Sequence, residues 1–359
     1  MSAPYATLAR MGMTCIDLFA GAGGLSRGLH DAGFEPVWAV EIDKAACTTY
    51  RNAFPGVKLF DGDVAKVNFS EHTGVDVVAG GPPCQPFSVA GNLQIENDPR
   101  DCIPHFVRAV SEIRPAAFIM ENVPGLIGPR ARDYFERVLE SFRNLGYEVT
   151  AEVLNAADYG VPQFRRRLFV VGMRDGSTFE FPRPTHGPSG ALPYLTTRDV
   201  ISDAPADEAN RAIVTYARNP VMRPQPYDGM LVNGGGRPIN LDEPSQTIPA
   251  SAGGNRTHIV DEAGVLLKYH RHLREGGVPR EGLVNGVRRL TVSESARIQS
   301  FPDHHVFLGK QSARYRQVGN AVPPRLAAAV GTAVFDHLNR GRSAVDLHTA
   351  TRLPLQRKR

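Results

Sequence analysis

An α/β fold on a mostly parallel sheet, joined to a smaller loop- and strand-rich region, is what this sequence predicts. Three observations lead there. Short apolar runs alternate with amphipathic, helix-like stretches from Thr14 onward, polar and glycine-bearing motifs stand just after those runs, and the texture changes near Phe181. Strands separated by helices pair in parallel, because the crossover takes a helix's length of chain, and the helices then cover both sheet faces. A chain of 359 residues, 42% hydrophobic, can bury such a core and a second, smaller one.

Residues 15–20 read as a buried strand, followed by a glycine-rich turn and an amphipathic helix over 25–32. A second strand is expected at 36–40, and a helix over 44–53 that stops near Pro55. Another extended piece precedes Gly62; residues 75–80 then give the third strand and 116–120 the fourth, with a further strand at 168–172. From Phe181 to about Gly286 the chain is rich in Pro, Gly, Asn and Arg, with strand-like pieces at 245–249, 258–260 and 264–267. A helix returns over 291–299, where Thr291 and Glu294 have capping-box spacing, and a further one spans 325–337. Beyond Arg340 the chain is basic and is expected to fray.

No apolar run approaches the roughly 20 residues of a membrane span, and the first residues lack a secretory pattern, so a cytoplasmic protein without membrane contact is expected. Four scattered cysteines (Cys15, Cys47, Cys84, Cys102) argue against a disulfide framework or a structural zinc site, and no metal is expected. The net charge of +4 hides an asymmetry: residues 1–150 hold 13 basic against 18 acidic groups, the rest 28 against 19. That excess is mostly arginine, suited to forked contacts with phosphate and guanine, although a solvated basic face would look the same.

The motif DLFAGAGG, beginning at Asp17, follows the first strand and opens a helix, where glycines let a ligand approach the backbone. A tight structural turn is the plain alternative. Glu41 stands 20 residues after Gly21 at a strand end, the place of an acidic side chain that takes ribose hydroxyls, and Asp63 could accept from an adenine amino group. Together these point to an adenosine cofactor and leave NAD and S-adenosylmethionine both open.

GGPPCQPFS, from Gly80, puts Cys84 on a stiff loop at a strand end, a poor place for a packing cysteine. Glu121 follows another strand and falls at the same sheet edge. In QFRRR, from Gln163, strand alternation puts Arg165 and Arg167 on one face and Arg166 on the other, as for gripping a carbonyl or phosphate. Near the C-terminus RRLTVSESARIQSFP begins at Arg288, and QVGNAVPP, from Gln317, reads as a Gly-Asn turn before a proline-started helix.

In this order, DLFAGAGG, GGPPCQPFS, ENV, QFRRR, RRLTVSESARIQSFP and QVGNAVPP resemble the motif set of the DNA cytosine-C5 methyltransferases of restriction-modification type. The likeness covers about 14–324 and implies a Rossmann-like class I S-adenosylmethionine-dependent methyltransferase fold with a smaller target-recognition domain. The implied catalytic domain is 1–184 plus 317–345, the recognition domain and hinge 185–316, and the basic tail 346–359. Cys84 resembles the nucleophile, Glu121 the group that bonds N3 of the base, and Arg165 and Arg167 the arginines that orient the carboxylate and hold the cytosine carbonyl. Cofactor contacts are implied at Phe19, Ala20, Gly21, Gly23, Gly24 and Leu25, at Glu41 and Ile42, and at Asp63 and Val64. Pro83, Ile103, Asn320 and Ala321 complete that set. Gln85, Ser88 and Gly91 fall in a stretch resembling the loop that covers a flipped base; Gln246, Thr247 and Arg256 are the expected DNA contacts in the variable segment. The expected partners are double-stranded DNA and a cognate restriction endonuclease, the protein itself being a monomer.

Two rivals stand beside this. One branch of the motif set acts on tRNA, and a catalytically idle DNA-binding regulator would keep the fold; the intact Cys84, Glu121 and arginines speak against the second. An exocyclic-amine methyltransferase would need no nucleophilic cysteine.

Overall fold

The structure, a computed structural model, describes residues 12–83, 101–251 and 253–350. In chain order the first half runs β1 (Thr14–Leu18), α1 (Gly24–Asp31), β2 (Glu35–Glu41), α2 (Lys44–Ala53), β3 (Lys58–Asp61), β4 (Val77–Gly80), α3 (Ile103–Ile113), β5 (Ala117–Asn122), α4 (Arg132–Asn144), β6 (Glu148–Asn155), β7 (Gln163–Phe164) and β8 (Arg166–Met173). Seven of these strands make one sheet in the order β3-β2-β1-β4-β5-β8-β6. The chain steps outward from β1 to β3 and then returns to β4 on the other side of β1. Such a reversal opens a crevice at the carboxyl ends of the strands.

The sheet is buried on both faces, which is why β1, β4 and β5 read as continuous apolar runs rather than alternating ones. Ile16 and Leu18 pack with Phe106, Phe118 and Phe142, beneath α3 and α4. Cys15, Val77 and Ile119 face the other way, toward Leu25 and Leu29 of α1 and Leu326 and Val330 of α9 (Pro324–Ala350). A Cβ on Gly28 would stand 2.4 Å from that of Ala327, so only glycine lets α1 and α9 approach this closely.

The parallel expectation holds for β1 to β5 but not beyond. Strand β8 is antiparallel to both β5 and β6. Only residues 156–165 separate β6 from β8, too few for a helical crossover, so the chain must double back. The short strand β3 precedes residues 77–80, making those the fourth strand and not the third. Helices α3 and α4 and edge strand β6 were not among the sequence expectations.

The second half contains α5 (Thr197–Ile201), β9 (Tyr216–Val221), β10 (Met230–Val232), β11 (Ser245–Gln246), β12 (Ile259–Val260), α6 (Val265–Arg274), β13 (Arg288–Arg289), α7 (Val292–Ile298) and α8 (Gln311–Asn320), before α9. It has a small core of its own around Leu231, Ile259, Leu266 and Tyr269. A further cluster, including Ile248, Leu290, Ile298, Phe301 and Tyr315, reaches Ala22 of the glycine turn. The capping box of Thr291 and Glu294 forms as expected.

Three local expectations are corrected. Residues 264–267 are not a strand: Gly264 caps α6 at φ 66°, and Leu266, Tyr269 and His270 are buried at helical spacing. Gly319 and Asn320 end helix α8 and make no turn. Gly319 is required because a Cβ there would lie 2.2 Å from the Pro249 carbonyl. The backbone of α9 stays helical past Arg340 to Ala350, where fraying was expected. Among the described residues no helix is long and apolar enough to cross a membrane.

Candidate active site

At the carboxyl edge of the sheet lies a cleft of about 660 Å3, bounded by the ends of β1, β2, β4 and β5, by residues 247–250 after β11, and by the end of α8. The turn after β1 forms its floor. Phe19 (φ 61°), Gly21 (φ 55°) and Gly23 (φ 88°) carry the chain through left-handed conformations that most side chains avoid. At Gly24 a Cβ would stand 2.3 Å from the Val322 carbonyl, so the turn and the α8–α9 connection are packed backbone to backbone.

Two carboxylates fix this turn. Glu41 Oε2 accepts the Gly21 amide at 2.7 Å, while Oε1 accepts the amides of Ile42 and Asp43 at 2.9 and 2.7 Å. Three of the roughly four lone-pair positions of a carboxylate are thus engaged, and at least one is left at the cleft wall. Asp17 is almost fully buried and accepts both the amide and the hydroxyl of Ser26 through Oδ2. Burial pushes its carboxyl up to about 7, against the pull of the two Ser26 bonds, with Glu41 adding a smaller rise. Asp63 accepts the Ala65 amide at 2.9 Å and also lines the cleft. Ile42, 64% exposed, lays an apolar side chain over the same space.

At the other end of the cleft, Asn122 Nδ2 donates to the Pro82 carbonyl at 3.0 Å and the Cys102 amide to that of Pro83 at 3.1 Å. The two prolines before Cys84 are therefore anchored through their carbonyls. Glu121, one residue before the end of β5, forms an ion pair with Arg167, Nε to Oε1 at 2.9 Å, both side chains mostly buried. Burial raises the pKa of Glu121 above the ordinary carboxylate range, with Arg167 and then Arg165 opposing. Arg165 is 1% exposed and donates to the carbonyls of Ile248, Gly319 and Ala321 at 2.8–3.1 Å. Its Nε has no partner among the described residues. Arg166 is exposed, so the alternation expected across QFRRR is present. The two guanidiniums divide their work: Arg167 holds the carboxylate, and Arg165 ties the catalytic sheet to the second half of the chain.

Phe19, Ala20, Gly21, Gly24, Leu25, Glu41, Ile42, Asp63, Val64, Pro83, Glu121, Arg165, Arg167, Asn320 and Ala321 all reach this cleft, as does Thr247. Gly23 and Ile103 do not. Gly23 caps α1 with its Cβ direction against Phe54, and Ile103 is fully buried at the start of α3, leaving its neighbour Cys102 at the wall. Gln246 spends its amide nitrogen on the Tyr227 carbonyl and on Asp228, away from a free edge. Arg256 is exposed on a single 3-10 turn. Cys84, Gln85, Ser88 and Gly91 lie outside the described residues. Asp17, Asp43, Cys102, Asn122, Arg316 and Gln317 also line the cleft and are not singled out by motif spacing. Asp17 lies in DLFAGAGG and Asn122 in ENV, and the signal for each is a polar side chain within or ending a run that is otherwise buried. Among the described residues no three His, Cys, Asp or Glu side chains are grouped to hold a metal ion.

Sheet order, the antiparallel β8 and a cleft at the strand reversal define an α/β protein of the Rossmann-like methyltransferase class. The C-5 cytosine-specific DNA methylase family model matches residues 13–336, and the chain belongs to that family; it is a DNA cytosine-5 methyltransferase. Type II methyltransferase M1.HphI of Haemophilus parahaemolyticus is 39% identical over 344 residues, covering 90% of this chain and 87% of that protein. Type II methyltransferase M.NgoFVII of Neisseria gonorrhoeae is 32% identical, covering 93% and 89%. In fold the chain resembles the solved DNMT2 of Spodoptera frugiperda, with a TM-score of 0.68 at 19% identity over 90% of this chain and 99% of that one.

Proposed function

We propose that the cleft binds S-adenosylmethionine and that the protein methylates C5 of a cytosine turned out of duplex DNA, with Cys84 as nucleophile. What supports this most is one juxtaposition: the glycine turn clamped by Glu41 and the Glu121–Arg167 pair share a single cleft, next to the prolines that lead into Cys84. The charges favour this cofactor over a dinucleotide. Glu41, Asp43 and Asp63 line the β1–β3 end, where Arg316 is paired with Asp43 at 2.8 Å. Such a wall suits a cation bearing ribose hydroxyls and repels a pyrophosphate. Glu41 would hold the ribose, Asp63 the adenine amino group, and Phe19, Ile42 and Val64 its apolar faces.

S-adenosylmethionine, when bound, supplies an electrophilic methyl group. The thiolate of Cys84 adds to C6 of the cytosine, and the electron pair released makes C5 an enamine carbon. Glu121, whose pKa burial raises, would bond N3 and drain charge from the ring as the thiolate adds. Arg167 would fix the Glu121 carboxyl and grip the ring carbonyl, while Arg165, buried with its bonds to backbone carbonyls, would brace the site. Once C5 carries the methyl group, its proton passes to solvent water, the C–H electron pair re-forms the C5–C6 double bond, and the C6–S bond breaks to release the Cys84 thiolate. None of this fits inside a stacked duplex, so the base is flipped, at a cost of a few kcal/mol.

We assign 1–184 and 317–345 to the catalytic domain, 185–316 to target recognition and hinge, and 346–359 to a basic tail. Arg256, Thr247 and the glycine-rich turns near them are the proposed DNA-facing groups. The protein would work in the cytoplasm as a monomer, protecting host DNA beside a cognate restriction endonuclease, as the type II relatives' names suggest. The test is transfer of labelled methyl from S-adenosylmethionine to duplex DNA and to tRNA in parallel, followed by digestion of the DNA with methylation-sensitive nucleases. Labelled tRNA with unlabelled DNA would overturn the substrate.

Replacing Glu41 by Ala frees three amides and removes the acceptor for the cofactor. Affinity is expected to fall roughly ten- to a hundredfold, equivalent to about 1.5–3 kcal/mol for a charge-assisted bond. Calorimetric titration of a folded variant checks it, and an unchanged affinity would dismiss the role. Exchanging 185–287 for the matching segment of a relative should transfer that relative's target site, since specificity is read by base-edge contacts outside the shared motifs. An active chimera that keeps the original target would refute the domain assignment.

A further inference from the structure

The glycine turn is held from two sides. On one side the Gly21 amide is bound by Glu41 at 2.7 Å; on the other, the carbonyl of its neighbour Ala22 faces His305 Nε2 at 2.9 Å. His305 comes from the segment that follows α7 and is 5% exposed, packed among Phe301, Phe307 and Phe54 at ring distances of 4.7, 5.1 and 6.3 Å. Its segment is itself pinned, since the Leu308 amide donates to Thr49 Oγ1 and Gln317 donates to the Leu308 carbonyl, both at 2.9 Å. Facing a carbonyl, Nε2 must carry the proton, which fixes the tautomer. Burial lowers the imidazole to about 4, so the ring is a neutral donor throughout the physiological range.

We propose that His305 is a positioning residue for the cofactor, holding the Ala22 carbonyl so that the turn over residues 21–23 keeps its binding shape. This rests on the cleft being the S-adenosylmethionine site. The cause is population: a turn with left-handed residues at Gly21 and Gly23 has other accessible shapes, and affinity falls in proportion to the fraction in the competent one. Without its donor the Ala22 carbonyl, buried under the aromatic cluster, is relieved only by a shift of the turn toward water.

His305→Phe keeps a packed ring and removes the donor, while His305→Gln keeps a donor. Titrating S-adenosylhomocysteine calorimetrically into the full chain, the Phe variant is expected to bind roughly tenfold more weakly. The Gln variant should recover to within about threefold of the parent. The cofactor KM should rise with that dissociation constant, while kcat at saturation and DNA affinity change by less than about twofold. Equal affinity of the Phe variant and the parent would overturn the proposal, as would equal losses for Phe and Gln. His305→Leu serves as the donor-free variant if Phe does not fold. A parent protein that binds no S-adenosylhomocysteine would overturn the cleft assignment as well, which separates the two failures.

Discussion

A duplex carrying 5-fluorocytosine at the target position is expected to stall this protein as a methylated covalent complex that survives denaturing electrophoresis. If Cys84 adds to C6 and the methyl group arrives at C5, release needs a proton from C5. Fluorine in that place cannot leave as a cation. The complex should require S-adenosylmethionine, and peptide mapping should put the crosslink in GGPPCQPFS. Cys84→Ser should lose the adduct almost completely, because a hydroxyl without a strong base beside it is far less ionised than a thiol with a pKa of about 8.5. DNA binding should persist, since phosphate contacts lie elsewhere. A crosslink at Cys102, which does reach the cleft wall, or efficient turnover of the fluorinated site, would overturn the mechanism.

The second large effect is expected at Glu121. Glu121→Gln has nearly the same shape and leaves an oxygen for Arg167 Nε, now at 2.9 Å. It removes the titratable carboxyl and leaves a mostly buried guanidinium without its counter-charge. Single-turnover methylation should slow by roughly a hundred- to a thousandfold, the usual range for losing a positioned acid or an electrostatic donor. Cofactor and DNA affinities should stay within a few-fold. A rate within fivefold of the parent would remove Glu121 from the chemistry.

Much of the site was legible because its parts are local. Spacing singles out Glu41, at a strand end 20 residues past Gly21, as an acceptor for ribose hydroxyls; the contacts its carboxylate makes are with the Gly21, Ile42 and Asp43 amides, which spacing does not foretell. The capping box at Thr291 and the outward turn of Arg166 likewise follow from one or two residues of periodicity. What stayed hidden depends on distant partners. Arg165 reads as a second active-site arginine, yet three of its bonds go to carbonyls 83 to 156 residues away. Gly319 reads as a turn glycine until Pro249 presses against it. His305 carries no motif, and its meaning appears only when residue 22 lies beneath it. The strand at β8 is legible in its apolar run, but its reversed direction is not, because that depends on a connection too short for a parallel crossover.

The seam between α1 and α9 has a consequence for how the protein is made. Leu25 and Leu29 are covered by Leu326 and Val330, about 300 residues further along the chain. From the synthesis of β8 until residues near 330 are made, the face shared by the sheet and α1 lacks the α9 side chains that complete its cover. At about 5–20 residues per second, that interval of roughly 160 residues lasts from about 8 to 30 seconds. A nascent chain should therefore hold a nearly complete sheet with one greasy face open, a natural stop for a holdase chaperone. Maturation would then be set by when residues near 330 clear the exit tunnel, and not by how fast the early strands pair.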